Sequence, residues 1–392
     1  MADPYPALAR LRAEDPIHWH DGLKAWVVTR YDDVRALLLS DDLSAERLLG
    51  FYRKLPSDDA ARMAEIIRYL SLWIAFRDPP DHTRMRRIMR HAFNGRAMTA
   101  IENGVTPVVD LLLERLRGRE RIDLIADYAL QVPAFVIMDL LDIPRSRLDE
   151  FKGWSDDMAA FIGGARRTGD KYARAERGCA AMAGFFRELV AERRAARRDG
   201  FVMDLIDARD EGEALSEDEI VATCILVLFA GHETTTNLIG NCALTLMRHP
   251  AELAKYLADP GLTESAVEEV MRFDGPSMSL VRAASRDIPI RGRTIRAGDR
   301  VYVMITGANR DPEVFDEPDR FDVARTPNRH LTFGQGVHVC IGARLAREEG
   351  RVAVRRFFET FPQARLADEA HEWRDAMVPR GLVRLAVNLQ GG

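Results

Sequence analysis

This sequence is short of cysteine, of lysine and of long apolar runs, and each shortage narrows what the chain can be. Only four cysteines occur in 392 residues, Cys179, Cys224, Cys242 and Cys340, and no two of them form a C-x-x-C pair. That argues against a zinc ribbon, an iron–sulfur cluster held by this chain alone, and a disulfide scaffold. The nearest approach to a membrane span, Val221 to Gly231, is interrupted by Gly231-His-Glu. The start, Met-Ala-Asp-Pro-Tyr-Pro, lacks the charged-then-apolar shape of a signal peptide, so a cytoplasmic protein with no membrane partner is expected. Lysine is scarce, and the 56 basic residues, nearly all arginine, stand against 61 acidic ones for a net charge of -5. Such a balance gives no reason to expect nucleic acid. There is no repeat, low-complexity tract or Gly/Ser/Pro linker, so residues 1–392 read as a single domain.

What is present is mostly helical periodicity. The first segment mixes a short helix, about Tyr5 to Glu14, with two strand-like runs flanking Asp21-Gly22, a hairpin signal. Helices follow at Tyr31 to Leu39 and, after Asp78-Pro-Pro-Asp81, at His82 to Phe93. From Arg96 to Arg198 the pattern is helix upon helix, interrupted at Gly163 to Gly169. Ser216 and Glu219 form a capping box for the longest helix, which runs to Arg248 and ends at His249-Pro250. Its middle is apolar nearly all round, the mark of a buried, central helix. A further helix spans about Thr263 to Phe273. Short strands then appear at Ser279 to Ala283, Asp287 to Ile290 and Arg300 to Ile305. The chain closes with a helix from Ala343 to Phe361 and a strand pair turning at Pro379-Arg-Gly381. The fold class is mainly α with small β-sheets.

Three groups of residues carry chemistry. Leu331-Thr-Phe-Gly-Gln-Gly-Val-His-Val-Cys-Ile-Gly342 sets Cys340 after a glycine-rich approach and before a helix. Glycines let backbone approach a flat ligand, and a helix N-terminus favours the thiolate. A lone cysteine would more often be a buried structural residue; this surrounding pattern suits an axial haem ligand. Ala230-Gly-His-Glu-Thr-Thr235 places a glycine and threonines mid-helix, where they are poor helix formers. An acid beside a threonine there can pass protons; taken alone, the hexapeptide reads equally as a tolerated polar patch. His232 points away from both neighbours and reads as structural. Glu269 and Arg272 share a helix face at i, i+3, and Arg320 of Pro318-Asp-Arg-Phe321 offers a second arginine for a buried network locking the cysteine loop. The plain alternative is an exposed surface pair of little energetic consequence. His82 and Arg86, at i, i+4, with Arg282 and His338, could bind the two propionates of a haem. The nearby Arg84, Arg87 and Arg90 form a cluster suited to an acidic partner.

Together these motifs, with Asn309-Arg-Asp-Pro, stand in the order found in cytochromes P-450, and the sequence resembles that family over essentially its whole length, in the style of its soluble bacterial branch. The family is the standard case of cysteine-thiolate haem ligation. The resemblance implies a long central helix over a haem b (iron protoporphyrin IX) and a cysteine-ligand loop beneath it, with Cys340 as iron ligand and Phe333 and Gly342 beside it. Ala230 and Gly231 would form the groove over the haem, and Thr234 with Glu233 would deliver protons. His82, Arg86, Arg282 and His338 would hold the propionates, and Glu269, Arg272 and Arg320 would be structural. An apolar pocket would be lined by Leu72, Ile74, Leu226, Phe229, Ala230, Met278, Leu280 and Val378, with the Gly163 to Gly169 segment as a lid. The implied activity is a monooxygenase inserting one atom of O2 into a hydrophobic small molecule. Electrons would come from NAD(P)H through a ferredoxin reductase and a ferredoxin docking near Arg84, Arg87 and Arg90. A non-catalytic haem sensor and a peroxide-driven peroxygenase are the alternatives.

Overall fold

The expected capping box organises the centre of the fold. In the computed structural model, which describes residues 3–53, 57–93, 95–162 and 170–390, the Ser216 N–H donates to Glu219 Oε2 at 2.8 Å and the Glu219 N–H to Ser216 Oγ at 3.2 Å. Two orphan amides are thereby satisfied at the start of the 32-residue helix Glu217–Arg248. Its acidic first turn complements the helix dipole and takes an arginine at each carboxylate: Arg194 on Glu217, Arg68 on Asp218 and Arg84 on Glu219. His249 ends it, and Pro250 opens the next helix. Thr236 donates back to the His232 carbonyl at 2.8 Å, the bond a turn back that a mid-helix threonine is suited to make.

The chain, read as one domain from sequence, divides into two compact units, each assembled from separated stretches. The first comprises residues 1–43, 102–133 and 232–392. Its main sheet joins Ile17–His20 to Ala25–Val28 antiparallel, the latter to Arg300–Val303 parallel, and that strand to Leu280–Ala284 antiparallel. The sheet buries Val28, Val301 and Val303 with Tyr31, Val34, Ile295 and Phe315. A second sheet sets Ala386–Asn388 between Arg121–Asp123 and Arg365–Leu366. The last strands also include the expected hairpin, Glu372–Trp373 with Leu382–Arg384. The Thr263–Asp274 and Ala343–Thr360 helices belong to the same unit.

The second unit, residues 44–101 and 134–231, is helical. Its core packs the Leu148–Ile162 helix on the Lys171–Ala196 helix through Phe151, Phe185 and Phe186. Here Asp81–Ala92 forms the helix expected after the double proline. The Gly163 to Gly169 segment, expected as a lid, lies outside the described residues. Among the described residues no helix is long and apolar enough to cross a membrane.

Candidate functional site

The cysteine loop is fixed at its base by side chains. Asn309 Oδ1 accepts from the Leu331 N–H at 2.8 Å, and the Thr332 hydroxyl donates to the Met271 carbonyl at 2.7 Å. Gly334 and Gly336 then adopt φ of +73° and +71°, a region that side chains rarely enter, and a β-carbon on Gly336 would stand 3.2 Å from the Leu38 carbonyl. One 3-10 turn, Gly336–His338, returns the chain so that the Cys340 N–H donates to the Phe333 carbonyl at 2.9 Å. Gly342 caps the Ala343–Thr360 helix directly afterwards.

Cys340 itself is exposed, unlike the other three cysteines. Burial pushes the Cys224 thiol up to about 12, and those of Cys179 and Cys242 higher still. A buried thiol of that kind cannot act as a thiolate ligand. Beside Cys340, Val337 and Val339 are 48% and 40% exposed. Two exposed valines just before an exposed thiol present apolar surface beside it. Arg347 lies with its guanidinium 4.4 Å over the Phe333 ring, is ion-paired to Glu268, and is within electrostatic reach of Cys340. This positive charge on the helix that follows the thiol is not among the residues that the sequence motifs single out. Its signal was available: four residues after Ala343, it falls in the first turns of the helix that Cys340 precedes.

On the central helix, Ala230 and Thr234 are exposed although the residues around them are mostly buried. They stand one turn apart on one face, so an otherwise buried helix is exposed along that face. An exposed thiol on a glycine-cleared loop, exposed valines and an exposed mid-helix face are what a flat apolar cofactor with a metal centre requires. The residues fit a haem. His82 is buried and Arg86 half-buried on the Asp81–Ala92 helix. Arg282 and His338 are half-buried, with Arg282 Nη1 donating to the Val281 carbonyl at 3.0 Å. His82, Arg86, Ala230 and Gly231 belong to one compact unit; Arg282, His338, Cys340, Glu233 and Thr234 to the other. His232 is buried, in keeping with a structural role.

The structure qualifies four of these expectations. Arg320 does not reach Glu269: it is exposed, bonded to Glu317 and Asp322. Arg325 takes its place, with Nε 3.0 Å from Glu269 Oε1. Gly231 is accounted for by packing as well as by any ligand, because a β-carbon there would stand 2.7 Å from Ile137 Cδ1. Arg84 and Arg87 are ion-paired, to Glu219 and to Asp210 and Glu211, which neutralises two of the three charges of the supposed docking patch. Met278, only 3% exposed, packs with Leu8, Val27 and Met304. Ile74 and Phe229 are also buried, Phe229 lying 5.5 Å from the Trp73 ring. Leu72, Leu226, Leu280 and Val378 remain half-buried.

The chain is similar to known proteins over nearly its whole length. The model of the family described as Cytochrome P450 matches residues 32–259 and 254–372. The chain is 38% identical to a vitamin D(3) 25-hydroxylase of Pseudonocardia autotrophica, covering 99% of this chain and 94% of that one. It is 36% identical to cytochrome P450 107B1 of Saccharopolyspora erythraea, covering 98% and 95%. Among solved structures, P450BioI in complex with a hexadec-9Z-enoic acid ligated acyl carrier protein superposes with a TM-score of 0.91 at 33% identity, covering 99% and 98%.

Proposed function

The chain belongs to the cytochrome P450 family, and from that premise we propose that it is a haem b monooxygenase which places one atom of O2 in an apolar small molecule and releases the other as water. Membership makes it an oxidoreductase that uses haem. The observation supporting this chemistry is the exposed Cys340 thiol, held at a helix N-terminus by the Phe333 carbonyl and preceded by exposed valines. No C-x-x-C-H occurs to attach a haem covalently, which favours the b form.

When bound, the haem supplies dioxygen activation, with the thiolate pushing electron density towards O–O cleavage. The remaining work is done by side chains. Cys340 would hold the group through its thiolate, while His82, Arg86, Arg282 and His338 would offer charge and hydrogen bonds to its carboxylates. Thr234 presents its hydroxyl from the exposed face of the central helix, next to Glu233, and the pair moves protons from solvent inward. Ala230 keeps that face low, and Leu72, Leu226, Leu280 and Val378 exclude water from the substrate. The retained Glu233 and Thr234 argue against a gas sensor and against direct use of peroxide.

The substrate is proposed as a hydrophobic molecule, in line with a relative named for vitamin D(3) and a neighbour solved with a fatty acyl carrier protein. Electrons are proposed to come from NAD(P)H through a separate ferredoxin and its reductase, since the sequence offers neither flavin nor iron–sulfur motif. Arg90, the exposed member of its cluster, keeps its place in the proposed docking patch. The test is a screen of hydrophobic compounds for substrate-induced spin-state shifts, followed by product analysis with surrogate redox partners. Compounds that shift the spin state and gain one oxygen support the reading. Tight binders that are never oxidised, despite steady electron supply, overturn it.

A further inference from the structure

The middle of the Glu217–Arg248 helix carries a polar stripe at a spacing of four, Glu233, Asn237 and Asn241, and the C-terminal hairpin touches all three. At the first, Arg374 Nη1 donates to Glu233 Oε1 at 2.9 Å. At the second, Gly381 comes so close that a β-carbon on it would stand 1.8 Å from Asn237 Oδ1. At the third, Asn241 Nδ2 donates to the Arg380 carbonyl at 3.1 Å and to the Asp274 carbonyl at 2.9 Å. The hairpin is itself anchored. The Arg374 N–H donates to the Gly381 carbonyl at 3.0 Å and the Arg380 N–H to the Pro276 carbonyl at 2.8 Å. The Arg380 guanidinium pairs with the Asp274 carboxylate and lies 3.9 Å over the Trp373 ring.

Arg374 therefore reaches Glu233 in a register that the hairpin cannot easily change. Its side chain is 26% exposed and that of Glu233 13%, so the pair sits where buried helix meets water. An ion pair in that position costs less to break than a fully buried one, yet it favours carboxylate orientations that keep Oε1 towards Arg374. We propose that Arg374 is a positioning residue for proton delivery: it holds the Glu233 carboxylate at the solvent edge, beside Thr234, so that a proton taken from water has one short route inward. The proposal rests on the reading of Glu233 and Thr234 as the proton-delivery pair. A general acid or base acts only within hydrogen-bond reach of its partner, and a carboxylate free to rotate spends less time there.

Two measurements test it, both on the haem-loaded protein without added substrate. The first is thermal unfolding of R374Q, E233Q and the double variant. Each single change lowers the midpoint, and the double variant falls no further than the lower single one; additive losses overturn the ion pair. The second is NADPH oxidation supported by plant ferredoxin and its reductase, in H2O and D2O. R374Q is expected to slow oxidation about tenfold and to enlarge the solvent isotope effect, with R374K recovering most of the rate and haem content unchanged. Unchanged rate and isotope effect in R374Q, where E233Q alters both, overturn the positioning role. If E233Q also alters neither, the proton-delivery reading falls, and the proposal with it.

Discussion

Arg272 grips Glu269 with both arms, Nε to Oε2 and Nη2 to Oε1 at 2.8 Å each, and neither side chain is exposed to solvent. The same carboxylate accepts from Arg325, from the Asp322 N–H and from Asn328 Nδ2. Arg272 in turn donates to the carbonyls of Asn309, Pro318 and Arg320. Every oxygen and most N–H groups of a buried pair are thus bonded, which is the condition for such a pair to be tolerated. The loop from Asn309 to Asn328 is threaded through this network before it becomes the cysteine loop. Removing one partner strands a buried charge. Glu269→Ala and Arg272→Ala are each expected to destabilise by about 3–5 kcal/mol and to reduce haem retention. Arg320→Ala, at an exposed pair, should cost about 0–1 kcal/mol. Chemical unfolding with haem content measured alongside checks the contrast, and comparable losses at Arg320 and Arg272 would contradict it.

Cys340→Ser keeps the size and the backbone hydrogen bond to Phe333 but replaces the thiolate by a poor ligand. The loop should fold, since its positions are set by Asn309, Thr332 and the two positive-φ glycines. The expected outcome is loss of the red-shifted Soret band in the reduced carbon-monoxide complex, with far-ultraviolet circular dichroism unchanged. A surviving band would show that another group ligates the metal.

Thr234→Ala should leave haem content and substrate-induced spectral shifts unchanged, because Thr234 is exposed on the helix and the change removes only a hydroxyl and a methyl group. The fraction of electrons recovered as product should fall and peroxide should rise in proportion. Measuring NADH consumed, product and peroxide together tests it; unchanged coupling removes Thr234 from proton delivery. Val in place of Thr, which keeps the branching, should behave as Ala does if the hydroxyl is what matters.

Which of these features were legible in the sequence follows from how local they are. The Ser216–Glu219 box lies within one turn, so its spacing alone foretold the helix start. The Cys340 loop was legible because its glycines and its following helix are contiguous. Arg325 was missed for Arg320 because both occupy one loop. Glu317 and Asp322, flanking Arg320, capture it at the surface, and only the turn's path decides which arginine reaches Glu269. Arg121–Asp123 is three residues long, too short to show a period, and is a strand only because Ala386–Asn388 supplies its ladder. Met278 was assigned to the pocket by family position, whereas its neighbours Leu8 and Val27 come from the far end of the chain. The Arg374–Glu233 pair spans 141 residues, and no local pattern announces it.

Glu349 presents a different kind of site, a carboxyl that folding keeps protonated. It lies fully buried on the Ala343–Thr360 helix, and neither of its oxygens has a well-formed hydrogen bond. Burial pushes it up to about 8, against a weaker opposing pull from the Thr235 hydroxyl nearby. In the unfolded chain a glutamate releases its proton at about pH 4.3. Between those two points the folded state retains a proton that the unfolded state has lost. Stability therefore falls as pH rises through this window and levels off above about 8. Each pH unit across it is worth at most about 1.4 kcal/mol, so the whole window amounts to a few kcal/mol. Glu349→Gln keeps the shape and cannot ionise, so its stability should match the parent near pH 5 and exceed it at pH 8. Thermal midpoints of both proteins across that range decide the matter. If the two curves run parallel, Glu349 is not held neutral by its surroundings.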